Sequence, residues 1–172
     1  MKRCMHIVQA IFVVALVLTS CGQSAEAQWQ EQYDLGVRYL SEGNYEEAII
    51  AFTTAIEIDS TRPEAFIGRG DAYLANDAEK YYADAEKDYL AALELNDQLE
   101  EIYEKLSELY LATGDEGRSL EILEAGAETL NSESLRGKAE QQRANAFSDQ
   151  ELINLAKKNI WTVYNLKNYI RP

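Results

Sequence analysis

The chain has 172 residues, the length of one average domain, which excludes a large multi-domain machine. With 47% hydrophobic and 27% charged residues, 9 Gly and 2 Pro, its composition is that of a folded globular protein and excludes a low-complexity or collagen-like chain. The net charge of -14 argues against a nucleic-acid partner, because the phosphates would be repelled.

Residues 1–20 have the pattern of a secretory signal peptide. Lys2 and Arg3 precede an almost entirely apolar run over residues 7–18. A stable membrane-spanning helix needs about 20 apolar residues, so this run is short for one. We therefore predict a leader that is removed from the mature chain.

The four residues Leu18-Thr19-Ser20-Cys21 directly follow the apolar run and resemble the lipobox of bacterial lipoproteins. The resemblance implies cleavage before Cys21 and diacylation of that cysteine. Because Gly22 and not Asp follows, it implies the outer membrane in a two-membrane envelope, and otherwise the outer face of the cell membrane. Residues 21–28 are small and polar and are predicted to form a tether.

Processing at this site would remove the only His, His6, together with Cys4, and Cys21 would carry lipid. Thiol and histidine catalysis, disulfides and His or Cys metal sites are then unavailable to the mature chain. We predict a protein that is not an enzyme, with no catalytic residues, no metal and no cofactor.

Residues 29–130 repeat with a period near 34. Leu35-Gly36 with Tyr39 recurs as Arg69-Gly70 with Tyr73, and Tyr110 follows Tyr73 after 37 residues. The second halves recur in the same way, as three sets: Ala48, Phe52 and Ala55; Ala85, Tyr89 and Ala92; Ser119, Leu123 and Gly126. The order of the spacings places a three-residue insertion between Tyr73 and Ala85, near residues 76–80.

This period and these residues resemble the tetratricopeptide repeat (TPR). The resemblance implies an all-α fold in which three helix pairs stack into an α-α superhelix. It is weakest in the third unit, where Ser107 and Ser119 replace the usual Gly and Ala. Predicted turns lie at Gly43-Asn44, with Asn44 as N-cap, at Thr61 as the N-cap before Pro63, and at Gly114-Asp115.

Residues 131–172 are predicted to form helices that cap the array, because the last pair would otherwise expose an apolar face. One helix is expected at 134–147, and Ser148-Asp149-Gln150-Glu151 is a capping box that opens another. This region has a net charge of +3, whereas residues 21–130 carry -19. A basic lid that folds into an acidic groove is the alternative to capping.

In TPR proteins the concave surface is formed mainly by the first helix of each pair. By that resemblance the predicted partner-binding groove consists of Tyr33, Val37, Leu40, Ile67, Asp71, Leu74, Glu101, Glu104, Lys105 and Glu108. Some family members bind a peptide's carboxylates with Lys and Asn residues, of which this chain keeps only Lys105. A groove that is half apolar and half acidic instead favours a protein or peptide with apolar anchors and Lys or Arg.

The sequence thus predicts a lipid-anchored, extracytoplasmic TPR adaptor that binds such a partner in its groove and serves envelope assembly or maintenance. Two alternatives stay open. One is a small glycan- or nutrient-binding lipoprotein. The other is a glycan hydrolase that uses paired carboxylates, since Asp and Glu are the remaining acid/base candidates.

Overall fold

The computed structural model describes residues 24–146, 153–154 and 157–158, and all regular structure in this part of the chain is helical. The helices are α1 (Ala25–Glu42), α2 (Tyr45–Ile58), α3 (Pro63–Leu95), α4 (Glu100–Ala112), α5 (Glu116–Thr129) and α6 (133–146). The predicted all-α fold is confirmed. None of these helices combines the length and the apolarity needed to cross a membrane.

Several predicted features lie outside the described residues. They are the leader, Cys21, the tether residues up to 23 and nearly all of the second capping helix. Residues 25–28, which were predicted to belong to the tether, instead form the first turn of α1, and the Ser24 hydroxyl caps this turn by accepting from the backbone N–H of Ala27 (3.2 Å). The helix expected at 134–147 is observed as α6, residues 133–146.

Helix α3 is interrupted at Asp77, whose backbone is extended (φ -162°, ψ 93°). The interruption separates a first arm, residues 63–76, from a second arm, residues 78–95. The Asp77 carboxylate accepts a hydrogen bond from the backbone N–H of Lys80 (3.2 Å) and so caps the second arm. The predicted three-residue insertion falls here, and it makes the second arm longer than α2 and α5, which have 14 residues each. The three predicted helix pairs correspond to α1 with α2, the two arms of α3, and α4 with α5.

The chain divides into two compact units, one up to Tyr81 and one from Tyr82. In the first unit, Phe52 of α2 is completely buried. A Cβ atom added at Gly36 would lie 2.7 Å from its ring, and one added at Gly68 would lie 2.5 Å from it. Glycine at both positions therefore allows Phe52 to pack directly against the backbones of α1 and of the first arm of α3.

The turns of the first unit begin and end helices as predicted, but of the two predicted N-cap residues only Asn44 stands at the N-cap position. Gly43 ends α1 in the left-handed region (φ +79°), and α2 follows Asn44 directly. The Asn44 side chain makes no capping hydrogen bond, and its Nδ2 donates to Glu42 (3.2 Å). Thr61 lies two residues before Pro63, the first residue of α3, and its hydroxyl donates to Asp59 (2.6 Å).

The second unit has an apolar core to which α4, α5 and α6 all contribute. Its buried members are Tyr103, Leu123, Ala127, Leu135 and Ala139. Leu135 and Ala139 come from α6, and Leu135 is completely buried. Helix α6 therefore covers apolar surface of the last helix pair, as a terminal cap is expected to do.

Candidate functional site

The predicted groove residues of the first unit lie on α1 and on the first arm of α3, and they differ widely in exposure. Val37 is 45% exposed, whereas Ile67 is only 8% exposed. The other four are partly buried: Tyr33, Leu40, Asp71 and Leu74. Val37 is therefore available to a partner, and Ile67 belongs to the interior of the unit.

Tyr33 takes part in an aromatic stack at the start of the first unit. Its ring is parallel to that of Trp29, with centroids 4.9 Å apart, and it also meets Phe52 at 5.8 Å. The guanidinium carbon of Arg62 lies 4.2 Å from the centre of the Trp29 ring. The buried indole N–H of Trp29 finds no acceptor within the described chain.

A pocket of about 380 Å³ borders this stack and is lined by Trp29, Gln30, Tyr33, Thr61, Arg62, Pro63 and Glu64. Much of Tyr33 is thus used in packing.

The predicted groove residues of the second unit follow one another along α4. Lys105 pairs with Glu101 one turn away (3.4 Å). Glu104 instead pairs across helices with Lys138 of α6 (2.5 Å). Glu108 is exposed, and it has no ion pair within residues 24–146. Of these four side chains, Glu104 and Glu108 line a common pocket.

This pocket, which we call the α4–α6 pocket, opens between α4, α5 and α6 and has a volume of about 380 Å³. Its lining residues are Glu104, Ser107, Glu108, Leu111, Glu116, Leu123, Lys138, Gln141, Gln142, Asn145 and Ala146. Leu111, 46% exposed, and the buried Leu123 supply its apolar surface. Three carboxylates and one ammonium group supply its charge. The pocket therefore combines an apolar surface with an excess of negative charge.

A chain of hydrogen bonds connects the three helices behind this surface. The hydroxyls of Ser107 on α4 and Ser119 on α5 lie 2.8 Å apart, and both residues are buried. The Ser119 hydroxyl donates to Oε1 of Gln142 on α6 (3.2 Å). Nε2 of the same Gln142 donates to the backbone carbonyl of Glu116 (3.0 Å). These bonds hold Gln142 in one orientation at the pocket wall.

Sequence reasoning named Glu104 and Glu108 but missed the rest of the pocket. Leu111 lies on α4, one turn after Glu108, whereas Lys138 and Gln142 join the site only because α6 packs beside α4. One signal was present: Ser107 and Ser119 stand where the repeat usually has Gly and Ala. A pair of hydroxyls at two buried positions indicates a polar contact between the helices that carry them.

The pocket can bind a ligand that combines a hydrocarbon portion with hydrogen-bond donors. Its carboxylates and hydroxyls are acceptors, and its leucines can cover an apolar stem. Within the described residues, no group of three or more His, Cys, Asp or Glu side chains could hold a metal ion.

Comparisons with known proteins agree with this architecture. Residues 36–77 match the sequence profile of a family described as TPR repeat. No protein of curated function resembles the sequence closely enough to count as a match. The fold does match solved structures.

Three of these structures are TPR domains or chaperones solved with a bound partner. The TPR2B domain of yeast Sti1, solved as its pHsp70 complex, is 22% identical with a TM-score of 0.58, and the match covers 71% of this chain and 98% of that one. The second TPR domain of human RPAP3, in complex with the Hsp70 peptide SGPTIEEVD, is 21% identical with a TM-score of 0.59 (70% and 98% covered).

The third is the type III secretion chaperone SycD of Yersinia enterocolitica, in complex with a peptide of the translocator YopD. It is 20% identical with a TM-score of 0.56, and the match covers 74% of this chain and 93% of that one. The described helices therefore have the fold of solved TPR domains, and residues 36–77 match the TPR repeat family.

Proposed function

We propose that this protein is a lipid-anchored, extracytoplasmic adaptor that binds a protein or peptide partner with apolar and basic character, in envelope assembly or maintenance. The observation that carries the binding part of this proposal is the α4–α6 pocket, which places Leu111 among three carboxylates. The TPR fold supports it, because this fold occurs in domains solved with bound peptides.

The charge of the pocket indicates a partner unlike the peptide bound to human RPAP3. That peptide, SGPTIEEVD, ends with three acidic residues among its last four. The α4–α6 pocket carries three carboxylates, of Glu104, Glu108 and Glu116, and one ammonium group, of Lys138. It would therefore repel a peptide with several acidic residues. A partner with Lys or Arg next to apolar side chains suits this surface better.

The binding proposal can be tested by site-specific photocrosslinking in intact cells of the source bacterium. A photoreactive amino acid replaces Leu111 in the pocket. The matched control carries it at Ile50, which is 66% exposed on α2. We expect a discrete crosslinked partner from position 111 and none from position 50. The same background at both positions would contradict the proposal.

The anchor rests on the lipobox and needs its own test. Cys21→Ser removes the thiol that would be acylated. We expect the unchanged chain to incorporate labelled palmitate and to fractionate with membranes, and the variant to do neither. Two acyl chains are sufficient for firm attachment because each buried CH₂ group contributes about 0.8 kcal/mol. Equal labelling of both chains would disprove acylation at Cys21.

A further inference from the structure

We propose that the α4–α6 pocket receives one arginine side chain of the partner, and that the buried hydroxyl pair behind it determines this preference. The inference rests on the proposed function, because it names the group that this binding site recognises. It follows from the direction of the hydrogen bonds at the pocket wall, from its charges and from its apolar surface.

The Gln142 amide has one possible orientation. Its nitrogen donates to the Glu116 carbonyl, which can only accept. Turning the amide over would place two oxygens against each other, so the orientation is determined by the backbone of α5. The amide oxygen therefore faces Ser119, and the Ser119 hydroxyl has to donate to it.

The direction of the Ser107 hydroxyl proton is determined by Ser119. A hydroxyl has one proton, and that of Ser119 is already used in its bond to Gln142. The 2.8 Å contact between the two serines must then be donated by Ser107 and accepted by Ser119. Ser107 lines the pocket with its proton directed away, so the group it can offer to a ligand is an acceptor.

The charges of the pocket are only partly balanced. Glu104 is already paired with Lys138, but Glu108 and Glu116 have no ion pair within residues 24–146. Within residues 24–146, the pocket thus offers two carboxylates without an ion pair and a serine acceptor beside Leu111 and Leu123. A ligand that satisfies it needs several donors, a positive charge and an apolar stem.

Arginine meets all three requirements. Its guanidinium has five N–H donors in a fixed plane, which can reach more than one acceptor at once, and its methylene stem can lie on leucine side chains. Lysine has the charge and the stem, but it presents its donors from a single point. We therefore expect a preference for arginine over lysine.

The test uses three small probes on the full chain in mild detergent, followed by methyl NMR of Leu111 and Leu123. The probes are the N-acetyl methylamides of arginine, of citrulline, which has the same shape without the charge, and of norleucine, which has only the stem. We expect the arginine probe to bind about tenfold more tightly than citrulline, a difference of about 1.4 kcal/mol. Equal binding of all three would overturn the inference and leave the proposed binding function intact.

Variants identify the groups responsible. Glu108→Gln on the exposed rim should weaken the arginine probe about threefold, the size of an exposed charge pair, and leave norleucine unchanged. Ser107→Ala should act in the same direction. Glu121→Gln, an exposed carboxylate outside the pocket, is the matched control and should change nothing. If Glu121→Gln weakens binding as much as Glu108→Gln does, general attraction explains the result and the site is disproved.

The chain's own basic end could be the occupant instead of a partner. In that case the arginine probe would bind only after residues 148–172 are deleted, which would overturn the assignment to a partner. If no probe shifts either leucine in the full chain or the deletion variant, and crosslinking at position 111 also yields nothing, the proposed function itself fails.

Discussion

At the scale of single residues, both units contain positions where a Cβ atom has no room. A Cβ at Gly126 of α5 would lie 2.6 Å from the Tyr103 ring and 2.7 Å from Leu135. At Gly137 of α6 nothing lies within 4 Å. Glycine is therefore required for packing at one position and only adds backbone freedom at the other.

The same substitution should have opposite effects at these two positions. We expect Gly126→Ala to lower the free energy of unfolding by about 1–3 kcal/mol, because the methyl group overpacks the core. Gly137→Ala should raise it by about 0.5–1 kcal/mol, because alanine loses less entropy in a helix. Urea denaturation followed by circular dichroism measures both. A stable Gly126→Ala variant would show that α5 and α6 are not packed as closely as described.

Asp115 is a residue whose charge, and not only its shape, contributes to stability. As N-cap of α5 it accepts hydrogen bonds from the backbone N–H of Arg118 (3.0 Å) and from its Nε (2.7 Å). These bonds, the backbone one first, lower the pKa of Asp115. A carboxyl group with a lowered pKa stabilises the fold above its unfolded pKa of about 3.9, and this contribution is lost as the pH falls through the folded pKa.

We therefore expect Asp115→Asn to be less stable than the unchanged chain at pH 7, by a deficit that is smaller near pH 3. Asparagine keeps the cap but not the charge, so the variant isolates the titrating part. Urea unfolding at the two pH values, on either side of the isoelectric point near 4.5, gives the comparison. A deficit of the same size at both values would mean that the charge of Asp115 is irrelevant.

At the scale of elements, the helices of the second unit are joined by one shared carboxylate as well as by apolar packing. Glu86 on the second arm of α3 accepts from the Tyr110 hydroxyl of α4 (3.0 Å) and from Arg118 of α5 (2.6 Å). Burial, followed by this bond to Glu86, raises the pKa of Tyr110. Helix α6 has a different attachment, since Leu135 and Ala139 reach the apolar core.

The cap therefore depends on Leu135. Leu135→Ala removes a completely buried side chain and should cost about 2–5 kcal/mol, because the core cannot close around the cavity. Glu140→Ala, at an exposed position of the same helix, should change stability by less than about 0.5 kcal/mol. Thermal unfolding compares the two. If α6 did not pack on the apolar core of the second unit, both variants would unfold at the same temperature as the unchanged chain.

Element starts and ends could be predicted where one residue determines the backbone. Gly43 and Gly114 both have positive φ, close to +79° and +78°, and both lie at predicted turns. The side-chain bonds of Asn44 and Thr61 could not be predicted, because a short polar side chain can bond to a neighbouring side chain as well as to the backbone. Asn44 donates to Glu42 and Thr61 donates to Asp59.

The candidate site was less accessible to prediction than the fold. Repeat periodicity places Glu104 and Glu108 on one face of a helix, since they are four residues apart. It does not predict that Lys138 pairs with Glu104, because Lys138 lies beyond residue 130, where the repeat pattern ends. It also does not reveal which way a buried hydroxyl points, because that depends on the Gln142 amide of a third helix, α6, and on the Glu116 carbonyl that orients this amide.

At the scale of the whole molecule, the dominant property is the net charge of -14 on 172 residues. Such an excess of one sign keeps a chain soluble but destabilises its folded state by self-repulsion. It also attracts basic ligands over a distance of about 8 Å at physiological ionic strength. Salt should therefore act on stability and on binding in opposite directions.

Raising NaCl from about 20 mM to 500 mM screens the repulsion, and we expect the unfolding temperature to rise by about 2–4 °C, or about 1 kcal/mol for a chain of this size. Over the same range the arginine probe should bind more weakly, because its attraction to Glu108 and Glu116 is screened as well. A variant with Glu31, Glu57 and Glu121 changed to Gln has three fewer exposed negative charges. Its stability should depend less on salt, while its pocket and the salt dependence of binding stay largely the same. If the salt dependence of stability and the salt dependence of binding both decreased in this variant, the overall charge of the molecule would account for both. A local charged site at the α4–α6 pocket would then be ruled out.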